Sequence, residues 1–221
     1  MKTFLLLLLF GLSPSALAAD ASQPHPHQGV LASYDSKPTL PKLTADDLVK
    51  LATGDAVRKQ SRDGQGGRGI AVQDINAPPS VVLSKISYFK NYPTMVDEVK
   101  LCEIYEQEND HIKTRFIIGA LFVKVEYFID HTFKPDEGYM SWTLDYSRDS
   151  DLDDSVGFWV VQPHPDKPQW SRLFYSVDVR LRGWVPGAIE EILVRNGLTK
   201  ATSWVKRESE ASMAATSAAN E

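Results

Sequence analysis

The chain has 221 residues, 43% hydrophobic and 24% charged, with a formal net charge of −5 at pH 7. This is an ordinary globular composition for one domain with extensions, and it lacks the concentrated basic face that nucleic-acid binding requires. A single cysteine, Cys102, excludes an intrachain disulfide framework, so the core itself must hold the fold.

The first residues, "MKTFLLLLLFGLSPSALAAD", place Lys2 before an apolar run and end on Ala16-Leu17-Ala18. That is the pattern of a secretory signal peptide over 1–18, cleaved after Ala18. The expected location is therefore the secretory pathway, with the protein secreted or held in an endomembrane or organelle lumen. Cleavage removes Lys2 and leaves the mature chain one unit more negative. No later segment approaches the length of a membrane span, which leaves a soluble mature protein as the expectation.

Residues 19–43 are rich in Pro, Ser and polar residues without a sustained period, and are expected to form a flexible leader. Its His25-Pro26-His27 is read as incidental, with no metal assigned. Residues 44–67 are expected to hold a short helix and a Gly-rich linker. Thr44 is the N-cap candidate, Asp46 and Asp47 fill the first turn, and Leu48 and Leu51 share a face. In "SRDGQGGRGIA", Gly64, Gly66 and Gly69 satisfy G-x-G-x-x-G. They lead into a strand instead of opening a helix, which rules out a dinucleotide loop and leaves a hinge.

The body of the domain is expected over 68–208, followed by a disordered tail over 209–221. Its first strand contains Ile70 and Val72. It ends at "DINAPPSVV", because Pro78 and Pro79 have no N–H for the ladder but suit a helix start. Val81, Val82, Ile86 and Phe89 then recur at helical spacing, and Asn91-Tyr92-Pro93 closes these short helical pieces. Six strands follow, over residues 96–106, 111–118, 121–133, 139–146, 156–162 and 172–182. Turn-length links between them predict an antiparallel meander with one wet face. From Pro186 onward, Ile189, Ile192, Leu193 and Trp204 describe a long amphipathic helix, interrupted at Asn196-Gly197.

The expected fold is therefore α+β, with a seven-stranded curved antiparallel sheet wrapped on a long C-terminal helix and two short helices after the first strand. A curved sheet gripping one helix leaves room for an apolar cavity between them. The candidate ligand-binding residues are the aromatics Phe116, Tyr127, Trp142, Tyr146, Trp159 and Tyr175, with Ile189 and Leu193 on the helix. Alternation alone does not say which strand face turns inward.

The order of elements resembles the helix-grip fold of the START-like, polyketide cyclase and coenzyme Q-binding superfamily. "VQDINAPPSVVLSKISYFKNYPTMVDEV", "SWTLDYSRDSDLDDSVGFWVVQPHP" and "YSVDVRLRGWVPGAIEEIL" look like the coenzyme Q-binding START-like subgroup. The resemblance covers roughly residues 68–208. It implies a carrier of a prenylquinone or other lipid, with transient membrane contact as a further implication.

Other chemistry is weakly represented. Asp149, Asp151, Asp153 and Asp154 invite a calcium loop, but Asp154 stands where an EF-hand needs glycine and Val160 where it needs a carboxylate. They are read as a solvated loop. There is no G-x-S-x-G elbow and no H-E-x-x-H, and Cys102 falls in a strand as a buried thiol. His111 and His131 fall in strands and could meet across the sheet, and His164 lies on a loop that could edge the cavity mouth. A non-enzymatic binder of a hydrophobic small molecule, with no cofactor and no metal, is the first reading. A cyclase or dehydratase using the same cavity, and a structural or membrane-associated partner protein with a filled cavity, are the alternatives.

Overall fold

In the computed structural model of the protein, residues 19–63, 66–120, 123–183 and 197–219 are described. Eight strands form one antiparallel sheet: β1 (Val57–Asp63), β2 (Gly66–Ile75), β3 (Val99–Glu108), β4 (His111–Ala120), β5 (Val123–Lys134), β6 (Tyr139–Leu144), β7 (Leu152–Pro163) and β8 (Ser171–Leu181). Their order is β1-β2-β8-β7-β6-β5-β4-β3. The helices are α1 (Ala45–Ala52), α2 (Pro79–Ile86), α3 (Tyr92–Met95) and α4 (Gly197–Ala218). No described helix is long and apolar enough to cross a membrane.

The sheet has eight strands where seven were expected, and the added one comes from the segment read as linker. Val57–Asp63 pairs with β2 from Val57↔Val72 to Asp63↔Gly66. A run such as "VRKQSRD" lacks the apolar alternation that marks a half-buried strand. At the edge of a sheet, however, backbone pairing is enough and polar side chains protect the open side. Gly66 and Gly69 thus lie in a strand. A Cβ on Gly69 would sit 2.8 Å from Leu198 Cδ1, so glycine is what lets α4 approach the sheet there.

The double-proline turn forms as the sequence implies. β2 stops at Ile75, Pro78 is the N-cap of α2 in extended geometry, and Pro79 takes the first helical position. Asp74 at the end of β2 accepts from Arg172 Nε at 2.7 Å and Nη2 at 2.9 Å, and contacts His164 Nε2 at 3.0 Å. Ser171 donates to the Ala77 carbonyl at 2.6 Å. Lys206 of α4 donates to the Asp74 carbonyl at 3.0 Å, and Glu210 accepts the Asn76 N–H at 3.0 Å. His164, expected at the cavity mouth, belongs to this anchor instead.

The main core lies between the concave face of the sheet and α2, α3 and α4. A second core occupies the other face, which was expected to be wet. There Leu51, Val57, Val72, Tyr139, Phe158, Val160 and Phe174 are buried, with Tyr34, Leu40 and Leu43 packed on them. The cover is the segment 19–43 together with α1. Thr44 caps α1 in a reciprocal box with Asp47, at 3.1 and 3.0 Å, as its sequence predicts.

The segment expected as a flexible leader is also tied to the acidic run, which is therefore not a solvated loop. Asp154 is fully buried and accepts from Val30 N–H, Leu31 N–H, Ser155 N–H and the Tyr146 hydroxyl at 2.6 to 2.8 Å. Asp151 accepts from the N–H groups of Ala19 and Glu126. At the other end, residues 209–218 continue α4, where a disordered tail was expected; Ser209 is buried and Met213 packs against the core. The helix expected from Pro186 is seen from Gly197 on, and residues 184–196, with Ile189 and Leu193, lie outside the described residues, as does the segment 1–18.

An aromatic-walled cavity under the terminal helix

Register decides which side chains meet. Strand partners Phe116↔Tyr127, His131↔Trp142, Trp142↔Gly157 and Trp159↔Tyr175 run across β4, β5, β6, β7 and β8. All of these side chains fall on the concave face, because alternation carries the odd positions of β5, β7 and β8 and the even positions of β4 and β6 to the same side. They wall a cavity of about 210 Å³ that Tyr92 of α3 and Trp204 of α4 close from the other side.

The rings touch in sequence around this space. Phe116 stacks on Tyr127 at a centroid distance of 5.3 Å, Trp142 on Tyr175 at 5.9 Å, and Tyr175 meets Trp159 at 4.2 Å. Trp204 meets both Trp159, at 6.4 Å, and Tyr92, at 5.1 Å. Gly157 makes room for one wall: a Cβ there would lie 2.1 Å from Trp142 Cζ2 and 2.4 Å from the Ser176 carbonyl oxygen. Trp142 can lie flat over the sheet only because that position has no side chain.

Polar groups in the wall are few and specific. His131 contacts the Ile112 carbonyl through Nδ1 at 3.0 Å, and a carbonyl can only accept, so Nδ1 carries the proton. Its Nε2 is left as an acceptor with no partner among the described residues. Burial pushes the imidazole down to about pKa 4, with the Ile112 contact offsetting part of the shift, so the ring is neutral at pH 7. The hydroxyls of Tyr127 and Tyr175 also have no hydrogen-bond partner among the described residues. Burial drives both phenols well above their ordinary value and keeps them protonated. Ser155 accepts from Trp142 Nε1 at 3.3 Å. Tyr92 is satisfied, donating to the Ile86 carbonyl at 2.7 Å.

At the mouth stands an ion pair, Glu98 before β3 and Lys200 on α4. Arg207 of α4 donates to the Met95 carbonyl at 2.7 Å and closes the same seam. Among the described residues lining the cavity, this pair supplies the only formal charges.

Of the residues singled out from sequence, Phe116, Tyr127, Trp142, Trp159 and Tyr175 are brought together here. Tyr146 is not. Its hydroxyl donates to Asp154 at 2.8 Å and its ring lies by His25 and His27, because its place just beyond β6 carries it to the segment 19–43. His111 and His131 do not meet: His111 opposes Thr132 and pairs with Asp130 at 3.0 Å on the surface. Cys102 is buried in the core, its thiol pushed up by burial. Tyr92, Ser155, Glu98 and Lys200 were missed. Turn arithmetic through Pro135–Gly138 would have put His131 opposite Trp142, but nothing local marks the residues that approach from α3 and α4.

No protein-family model matches the chain, and no curated protein sequence is similar to it. Solved structures are. TTHA0849 from Thermus thermophilus is 18% identical with a TM-score of 0.53, covering 73% of this chain and 99% of its own. A START superfamily protein from Mycobacterium smegmatis is 19% identical with a TM-score of 0.51, covering 70% and 97%. A STAR-related lipid transfer protein from Xanthomonas axonopodis is 8% identical with a TM-score of 0.52, covering 69% and 98%. At such identities the likeness is one of architecture, and the chain has the helix-grip fold of the START superfamily proteins.

Proposed function

We propose that the protein binds a compact hydrophobic molecule carrying a planar ring with oxygen substituents, held in the cavity under α4 without chemical change. One observation carries this reading. The cavity is walled by aromatic rings, yet it presents three polar atoms without partners among the described residues: His131 Nε2 and the hydroxyls of Tyr127 and Tyr175. All three face the open cavity, so a plain hydrocarbon that displaced water from it would strand them, and an occupant that hydrogen-bonds to them is favoured.

Size selects among ligands. Small-molecule pockets typically measure ~300–1,000 Å³, whereas this one is about 210 Å³. A dry cavity of ~150 Å³ holds one benzene. The space therefore suits one substituted ring, and a prenylquinone of the kind the sequence resemblance implies would place its ring here and pass its chain out beside the Glu98–Lys200 pair. The lipid-transfer name of the Xanthomonas neighbour agrees with a ligand of this class. Burying ~150 Å² of ring at ~25 cal/mol/Å² is worth about 4 kcal/mol, near millimolar affinity. Two hydrogen bonds, from the Tyr127 and Tyr175 hydroxyls to ring oxygens, at ~1 kcal/mol each would bring this to roughly 50 µM, and His131 Nε2, an acceptor, adds a third only to a ligand that carries an O–H, such as a quinol. Collection of the ligand at a membrane, and a setting in the secretory pathway, belong to the same proposal and rest on residues 1–18 and the resemblance.

The cyclase or dehydratase alternative would draw its acid–base groups from Tyr, His or Asp, of which the wall holds Tyr92, Tyr127, Tyr175 and, as the candidate base, His131. A base near pKa 4 is far from the match to operating pH that effective proton transfer needs, which favours binding over catalysis. The filled-cavity alternative is disfavoured by the open 210 Å³. The decisive test is native mass spectrometry of the purified protein, followed by lipid extraction and thermal shift with simple benzo- and naphthoquinones. A stoichiometric ring-bearing ligand, or a shift with quinones and none with alkanes, supports the proposal. A clean apo protein that shifts with none of them would overturn it.

A further inference from the structure

Away from the cavity, the segment 19–43 carries two histidines to the acidic run that precedes and opens β7. His27 Nε2 lies 3.2 Å from Asp153 Oδ1, and His25 Nε2 lies 2.9 Å from the Asp153 carbonyl oxygen. The two imidazole centroids are 4.7 Å apart. One ligand atom from each of His25, His27 and Asp153 lies within 4.8 Å of the other two. Pro26, with its fixed φ, holds the histidines at that spacing.

We propose that His25, His27 and Asp153 form a site for a divalent first-row transition-metal ion such as zinc(II), which clasps the segment 19–43 to the run 149–154. Two imidazoles and a carboxylate are the donor set such ions take, and the Asp153 carbonyl adds an oxygen beside them. The second nitrogen of His25 carries the argument further. The His25 side chain is wholly buried, and its Nδ1 lies 3.4 Å from Asp149 Oδ1, a carboxylate that Arg182 also holds. A carboxylate on the outer nitrogen fixes the tautomer and ring orientation of a metal-ligating histidine.

Both Nε2 atoms face oxygens of Asp153. When the ion enters, each ring keeps one proton but carries it on Nδ1, freeing Nε2 to ligate. For His25 that proton meets Asp149 and displaces the Ser150 N–H, which donates to Nδ1 at 3.5 Å. For His27 it displaces the Gly29 N–H, which donates to Nδ1 at 3.0 Å. The two displacements cost one neutral hydrogen bond and one long one, whereas the ion forms a coordinate bond to each of the two rings.

The test is isothermal titration of zinc chloride into the whole protein and three variants. The wild type is expected to bind one equivalent. Asp149→Asn should weaken it by about 10–100-fold, the usual effect of losing an outer-shell partner. His27→Gln, which keeps a polar side chain at this partly exposed position, should abolish saturable binding. His111→Gln, in the separate His111–Asp130 pair, should leave the isotherm unchanged. Zinc should raise the melting temperature of the wild type and not that of His27→Gln. A wild type without saturable binding, a His27→Gln isotherm like the wild type's, or loss of binding in His111→Gln would each overturn the proposal.

Discussion

Tyr127 and Tyr175 distinguish ligand binding from packing, because their hydroxyls satisfy no protein group among the described residues. Tyr175→Phe should leave the melting temperature of the apo protein unchanged or slightly raised, while weakening a ring-bearing ligand by about 5–10-fold, one hydrogen bond's worth. Thermal melts and a binding titration on one preparation separate the two effects. Gly157→Ala acts in the opposite sense. Its Cβ collides with Trp142 and with the Ser176 carbonyl, so it should destabilise by about 1–3 kcal/mol and push the indole into the cavity, removing ligand binding. His131 gives a pH signature. Its pKa is near 4 in the folded protein and 6.5 as its ordinary value, so between these limits the unfolded chain binds more protons. Stability must therefore fall as pH drops from about 6.5 towards 4, by up to about 3 kcal/mol from this group. Urea unfolding at pH 7 and pH 4.5 should show that loss in the wild type and a smaller one in His131→Gln.

Among the elements, the segment 19–43 departs most from what its composition implies. A Pro- and Ser-rich stretch has too little apolar surface to order itself, yet Asp154 ends four hydrogen bonds and two of them hold Val30 and Leu31. Asp154→Ala strands several buried donors at once. It is expected to cost about 3 kcal/mol or more and to open residues 19–43 to limited proteolysis, with the sheet itself retained. The edge strand β1 was hidden for a related reason. Val57–Asp63 is ordered by pairing with β2, an interaction between segments that neither records alone. By contrast, the double-proline turn and the Thr44 cap were legible, because φ restriction and capping are properties of the residues in place.

For the molecule as a whole, the antiparallel meander from β3 to β8, the two short helical pieces and a helix after the last strand could be read from alternation, turn residues and amphipathic spacing, whereas the pairing of β2 with β8 could not. So could most of the aromatic set, since five of the six rings singled out do line the cavity. Period-two alternation states that one face of each strand is apolar, but not which face turns inward, and here both faces of the central strands are covered. Tyr146 shares the parity of Trp142 but lies beyond the end of β6, where its hydroxyl reaches Asp154 instead of the cavity. The volume of the cavity, the tautomer of His131 and the convergence of His25 and His27 on Asp153 depend on contacts between residues far apart in the chain. Local chemistry, then, was enough to set most elements from β2 onward, but not β1, the docking of segment 19–43 or the last turns of α4. Register, sheet curvature and the approach of α4 through Gly69 decided what those elements enclose, because distances between distant segments arise only when the chain packs.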